Sequence, residues 1–80
     1  MTEQDAPQDI NLFLMTEKII EERNAAERKA WDALARYKFW MFGYHAAAWI
    51  KYNDLLRPGE GRAMNPFREL VKLARSKKQA

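Results

Sequence analysis

The sequence has few of the residues that enzymes use as nucleophiles, bases or metal ligands. Its 80 residues include no cysteine, one histidine, one serine and two threonines. Without cysteine the chain can form neither a disulfide nor a thiolate metal site. An activated nucleophile needs a base beside it, and no carboxylate stands three or four residues from His45 to orient it on a helix. We therefore expect a protein that is not an enzyme and has no cofactor and no metal site.

Long apolar runs are also missing. The longest uncharged run, 39–50, has 12 residues, whereas a membrane-spanning helix needs about 20. The first residues include Glu3 and Asp5 and are polar, unlike a secretory signal peptide. The sequence therefore predicts no membrane partner.

Helix breakers are scarce, with three glycines and three prolines. Asp9 is a suitable N-cap, because its carboxylate can accept hydrogen bonds from first-turn amides. Pro58 disfavours helix at the residue before it, and Gly43 is the only breaker between these two positions. The sequence therefore predicts one long helix over about 9–56, with a break near Asn24 as the alternative.

One face of this long helix carries apolar or small side chains with a helical period. A single helix of this length cannot bury such a face within its own chain. We interpret the face as the seam of a helical-bundle homodimer. The predicted seam residues are Ile19, Leu34, Tyr37, Met41, Tyr44, Ala48, Tyr52 and Leu55.

The most aromatic segment is 37–52, where seven of sixteen residues are aromatic. Its aromatic side chains fall on both sides of a helix, which gives it a second apolar face opposite the seam. Because this face contains Trp49, we expect Trp49→Ala to unfold the protein or to dissociate it. Gly43 and Ala47 stand four residues apart; they either let a neighbouring backbone approach closely or only relieve local packing. The second face consists of Phe39, Phe42, Ala46, Trp49 and Ile50.

The C-terminal region predicts a second, shorter helix. After a loop over 57–65, Asn65 and Pro66 are typical of a helix start. The apolar stripe that follows predicts a helix over about 66–77 that packs back on the second apolar face. With a disordered N-terminus at 1–8 and a frayed basic tail at 78–80, the predicted architecture is one small all-α domain spanning residues 1–80.

Charge is unevenly distributed along the chain. Residues 1–35 carry four basic and eight acidic residues, a net charge of −4, whereas residues 36–80 carry ten and three, a net charge of +7. A basic surface of this kind could bind phosphates. A nucleic-acid-binding helical dimer is therefore the alternative function. Its candidate residues are Arg68, Lys72, Arg75, Lys77 and Lys78.

Two segments resemble small bacteriophage and prophage proteins to which no role is assigned. The first, Ala35 to Trp49, reads Ala-Arg-Tyr-Lys-Phe-Trp-Met-Phe-Gly-Tyr-His-Ala-Ala-Ala-Trp, and the second, Asn65 to Leu70, reads Asn-Pro-Phe-Arg-Glu-Leu. The resemblance implies an accessory protein of the bacterial host cytoplasm that binds a host protein stoichiometrically, for example as an inhibitor of a defence or transcription protein. Tryptophan and arginine often dominate contact energies. The candidate partner contacts are Trp31, Trp40 and Arg36.

Overall fold

The computed structural model describes the backbone of residues 2–79 and the side chains of residues 12–79. Over these residues the chain is helical throughout its regular structure, with no strand, which confirms the all-α prediction. α1 and α2 pack against each other as an antiparallel hairpin. The helices are α1 (Thr2–Ala35), α2 (Phe39–Asp54) and α3 (Arg68–Gln79).

A turn at residues 36–38 separates α1 from α2, so the prediction of one helix over 9–56 is wrong. Tyr37 has a φ of 62°, in the left-handed region. The Lys38 amide donates to the Ala33 carbonyl at 2.9 Å, and the Tyr37 amide donates to the Leu34 carbonyl at 3.0 Å. This pair of bonds is the Schellman closure of a helix, in which the left-handed residue is usually glycine. Since a tyrosine occupies that position, the sequence carries no signal of the turn.

The alternative break near Asn24 is also wrong, because α1 runs through this position without interruption. α1 begins at Thr2, so the helix start predicted near Asp9 is wrong. The side chains of residues 1–11 lie outside the described residues, and the predicted disorder of residues 1–8 stays a prediction. The predicted frayed tail ends at residue 80, which is also outside them.

Small residues of α1 face aromatic residues of α2 in the core of the hairpin. Ala26 and Ala30 are buried, and Trp49 is only 2% exposed against them. Phe42 and Ala46 pack on the same cluster. Of the second apolar face of α2, Phe42, Ala46 and Trp49 are therefore packed against α1, whose alanines let the two helices approach closely enough to bury large rings, whereas Phe39 and Ile50 stay exposed.

The turn also divides the predicted seam, whose eight residues do not form one continuous face of a single helix. After the turn the chain reverses direction, so the seam residues on α2 no longer continue the face of α1 that carries Ile19 and Leu34. The half-buried members are Ile19, Leu34, Ala48 and Tyr52, and the exposed members are Tyr37, Met41, Tyr44 and Leu55.

The buried guanidinium of Arg23 ties the segment after α2 back to α1. Its Nη1 donates to Asn53 Oδ1 at 3.0 Å and to the Gly61 carbonyl at 2.6 Å. Asn53 also accepts a hydrogen bond from the Ala63 amide and donates one to the Ala63 carbonyl. The guanidinium carbon lies 5.8 Å from the centre of the Trp49 ring, within cation–π range. These contacts hold the loop against the open end of the hairpin.

α3 begins against the hairpin and then leaves it. Asn65 Oδ1 accepts from the Phe67 amide at 2.8 Å, which confirms the predicted helix cap. Phe67 is buried, 5.0 Å from Trp31 and 5.4 Å from Phe42 between ring centres. Leu70 packs on the core cluster, but no described Cα of α3 lies within 8 Å of one in α1 or α2. The prediction that this helix packs back over α2 holds only at its start, where Phe67 packs against Phe42 and Trp49. Beyond Leu70 the helix leaves the hairpin.

Candidate functional site

α2 is apolar on the side that points away from α1 as well as on the side that meets it. On this outer side Trp40 is 86% exposed, Phe39 63% and Tyr44 59%. An open groove of about 680 Å³ runs between these rings. This outer groove is lined by Phe39, Trp40, Gly43, Tyr44, Ala47, Ala48 and Lys51.

Helical spacing explains why the groove forms. Trp40, Tyr44, Ala47 and Lys51 stand at i, i+4, i+7 and i+11, so they share one face of α2. Gly43 and Ala47, one turn apart, make a low floor between the larger side chains. A Cβ placed on Gly43 would have no neighbouring heavy atom within 4 Å, so nothing in this chain fills the floor.

Glycine at the floor is unfavourable for the isolated helix. In a helix interior it destabilises by roughly 0.5–1 kcal/mol relative to alanine, because it loses more backbone entropy on folding. Gly43 lies in the middle of α2, with no positive φ that would require glycine. The packing of this chain therefore does not explain why position 43 has no side chain. A close approach by the backbone of another chain would explain it.

The exposed aromatic surface is large for a chain of this size. Tyr37 extends it beyond the groove, with its ring edge-on to Phe39 at 6.1 Å. A fully exposed aromatic side chain presents about 150–250 Å² to solvent. At their observed exposures, the four side chains Tyr37, Phe39, Trp40 and Tyr44 together leave roughly 400–700 Å² in contact with water. Apolar patches of about 300–600 Å² are the largest on typical monomers and are often functional.

The three predicted partner contacts lie in different environments. Trp40 stands in the outer groove. Trp31 is 38% exposed and packs mainly into the core, and its Nε1 donates to Glu27 Oε2 at 3.1 Å. Arg36 lies in the turn, where Nε is 3.4 Å from Asp32 Oδ1 in an exposed ion pair. The structure brings Trp31 into the core and leaves Trp40 as the most exposed of the three.

α3 carries the residues predicted to bind nucleic acid. With five basic residues and one acidic residue, it has a net charge of +4. Lys72 pairs with Glu69 at 3.4 Å, and both side chains are well exposed. Leu70, Leu73 and Ala74 lie on the opposite side of the helix from Arg68, Lys72 and Arg75, which makes α3 a basic amphipathic helix. The basic residues Arg68, Lys72, Arg75, Lys77 and Lys78 are all exposed.

His45, the only histidine of the chain, is half-buried beside a shallow basic depression. Its ring lies 5.2 Å from that of Tyr44. Among residues 12–79 no carboxylate oxygen lies within 4 Å of it. The described side chains also contain no group of three or more histidine, aspartate or glutamate residues placed to hold a metal ion.

Sequence interpretation placed Trp40 and Tyr44 among contact residues but missed the groove that joins them. It assigned Phe39 to the covered face and gave no role to Lys51. Within residues 2–79 no helix is long and apolar enough to cross a membrane. No protein-family model, curated protein or solved structure matches the chain.

Proposed function

We propose that this chain is a non-enzymatic protein-interaction module that associates with a second copy of itself and acts by stoichiometric binding. The observation that supports this is the uncovered outer groove of α2. A chain of 80 residues can bury only about 60% of its unfolded surface, so apolar side chains are scarce in its core. Leaving Phe39, Trp40 and Tyr44 in water forgoes roughly a few kcal/mol for each ring. Association would recover part of this free energy.

Two hairpins that meet through this face would form a helical-bundle homodimer. Because the outer groove points away from α1, the four helices would lie side by side, with the two α2 helices inside and the two α1 helices outside. The basic α3 helices would remain free on the surface. This is a dimer of hairpins rather than of single long helices.

The resemblance to phage and prophage proteins extends the proposal to a bacterial host protein as partner. Occlusion of a defence or transcription protein in the host cytoplasm is the mode of action that this resemblance implies. With Trp40 inside the dimer, the surfaces left for such a partner are α3, the turn at Arg36 and the exposed edge of Trp31.

The test is the mass of the protein as a function of concentration, measured by sedimentation equilibrium. We expect the apparent mass to rise from 9.5 kDa towards twice that value. Trp40→Gln should raise the dissociation constant at least tenfold, since a tryptophan that loses contact with water at an interface often contributes more than about 1.4 kcal/mol. The control is Phe13→Gln, which changes an exposed aromatic residue outside the outer groove, 63% exposed against 86% for Trp40. A wild-type protein that stays at 9.5 kDa at every concentration would contradict the proposal.

Nucleic-acid binding by a helical dimer is the second candidate, and the observation that favours it is the exposed basic face of α3. Phosphate binding weakens steeply as salt increases, because counterions are released on binding. Reversing Arg68, Lys72 and Arg75 to glutamate should then abolish retention of a labelled DNA or RNA duplex at low salt. The control reverses Lys18, Arg28 and Lys29 on α1. If both triple variants lost duplex binding equally, or if neither lost it, this function would be ruled out.

A further inference from the structure

We infer that the outer groove of α2 binds the outer groove of a second copy, with the two α2 helices antiparallel about a twofold axis between residues 45 and 46. This rests on the self-association proposed above and names its interface. In a twofold interface, if residue i of one copy contacts residue j of the other, then residue j of the first copy also contacts residue i of the second. Six of the seven residues that line the outer groove meet this requirement, and Phe39 does not, because its counterpart Tyr52 does not line the groove.

Apart from Phe39, the residues of the groove lining form three pairs about one point. Tyr44 pairs with Ala47, and Gly43 with Ala48, at equal distances from the point between residues 45 and 46. Trp40 and Lys51 form the outermost pair about the same point. In an antiparallel dimer each of these residues therefore contacts the other member of its pair on the second copy. By symmetry, each such contact occurs twice in the dimer.

Each pair joins groups that fit together. The Tyr44 ring would lie over the partner's Ala47, so a large side chain meets a small one on both sides of the axis. Gly43 would face the partner's Ala48, which lets the backbones approach closely. Lys51, the one charged residue of the lining, would meet the face of the partner's Trp40, a favourable cation–π arrangement.

The parallel alternative pairs each residue with itself. Trp40 and Tyr44 would then collide with their own copies, while Gly43 would face glycine across a gap. Lys51 would stand beside the partner's Lys51, where two like charges repel. The helix dipoles would also be aligned rather than opposed. The groove lining therefore favours the antiparallel arrangement.

The exposed area is of the size that a stable dimer needs. The aromatic rings on and beside the groove expose roughly 400–700 Å² on each copy. Standard protein interfaces bury about 800 Å² on each partner, and most crystal-packing contacts bury less than half of that. The floor residues and the stem of Lys51 add to the ring area.

The first test uses Gly43→Ala. In the monomer the added methyl group enters open space and favours the helix. In the antiparallel dimer it meets the partner's Ala48. We expect the dissociation constant to rise at least tenfold while the thermal stability of the dilute monomer stays equal or increases. Unchanged association would overturn the inference.

A second variant, Ala47→Glu, places a carboxylate under the partner's Tyr44 and keeps a good helix former in α2. It should weaken association at least tenfold, because a longer, charged side chain replaces the methyl group that faces the partner's Tyr44, and an ion pair with Lys51 four residues on offsets only part of the cost of losing water. Ala35→Glu is the matched control, since Ala35 is exposed in α1 and does not line the groove. Equal association of Ala47→Glu and wild type would count against the interface.

The orientation is tested by a spin label at Asp54→Cys, because the chain has no cysteine of its own. Asp54 is the last residue of α2 and lies outside the groove. In the antiparallel dimer two labelled backbones lie roughly 25–30 Å apart, whereas in a parallel dimer they lie about 10 Å apart. The shorter distance would overturn the antiparallel inference and leave self-association intact. A labelled protein that is monomeric would instead overturn the proposed function, and this interface with it.

Discussion

Tyr37 holds the joint between α1 and α2 in a backbone conformation that favours glycine. Its φ of 62° is rare for a bulky residue. A left-handed conformation costs an L-residue roughly 1–2 kcal/mol, and the exposed edge-on contact with Phe39 returns only part of that. The burial of Trp49 and Phe42 against α1 must therefore stabilise the hairpin enough to impose the turn on Tyr37.

Comparison of Tyr37→Gly with Tyr37→Ala tests this account of the joint. In the left-handed conformation glycine should be more stable than alanine by about 1 kcal/mol. In one continuous helix the order would reverse, with alanine more stable by about the same amount. Urea unfolding of the two variants at one protein concentration measures the difference, and its sign separates the hairpin from the long helix.

Gly61 is the residue at which the loop after α2 meets α1. A Cβ added there would lie 2.7 Å from Ile20 Cδ1, whereas one added at Gly59 would meet nothing within 4 Å. Both glycines have positive φ, 101° and 91° respectively. Gly61 also supplies the carbonyl that Arg23 binds, so a shift at this residue disturbs a buried hydrogen bond.

We therefore expect Gly61→Ala to lower the free energy of unfolding by about 1 kcal/mol more than Gly59→Ala, which shares the backbone strain but not the contact. Ile20→Val removes the Cδ1 atom that a methyl group at Gly61 would meet. In that background Gly61→Ala and Gly59→Ala should lower the free energy of unfolding by similar amounts. Urea unfolding of Gly61→Ala and Gly59→Ala, each with and without Ile20→Val, provides the comparison. A larger cost at Gly59 would mean that the loop does not pack on Ile20 as described.

At the scale of elements, the sequence predicts helices better than their arrangement. Period and capping predict helix on both sides of the turn, and the Asn65 cap is confirmed by its hydrogen bond to Phe67. Ala26 and Ala30, small residues one turn apart on α1, are buried against α2 of the same chain. The turn was not predictable, because its position carries Tyr37 instead of glycine. The outer groove was missed for the same reason, since only the reversal at the turn places it opposite α1.

α3 differs from the other helices in how little supports it. It has 12 residues, none of them buried, and isolated helices of this length are marginal in water. We expect the amides of α3 beyond Lys72 to exchange with solvent far faster than those of α1 around Ala30. Hydrogen exchange followed by NMR measures this difference. Equal protection in both regions would show that α3 is packed on something in solution.

On the scale of the whole molecule, the chain is elongated, with extents of 63 × 24 × 12 Å. A body only 12 Å thick is little more than one helix deep, so each helix of the hairpin has an outer side that the chain cannot cover. On α1 the exposed side is largely charged over residues 17–32, although Leu12, Phe13, Leu14 and Met15 are exposed before it, whereas on α2 the outer side is aromatic. A dimer through α2 would bury the aromatic side and leave charged surfaces in water.

The most direct test of this account follows each tryptophan separately by ¹⁹F NMR of protein labelled with 5-fluorotryptophan, over a dilution series. Tryptophan-to-phenylalanine variants assign the three resonances. The resonance of Trp40 should shift as the protein associates, because its ring leaves water, whereas that of Trp49, already buried in the monomer, should stay in place. A constant Trp40 resonance over the range in which the mass doubles would place the interface elsewhere and contradict the account.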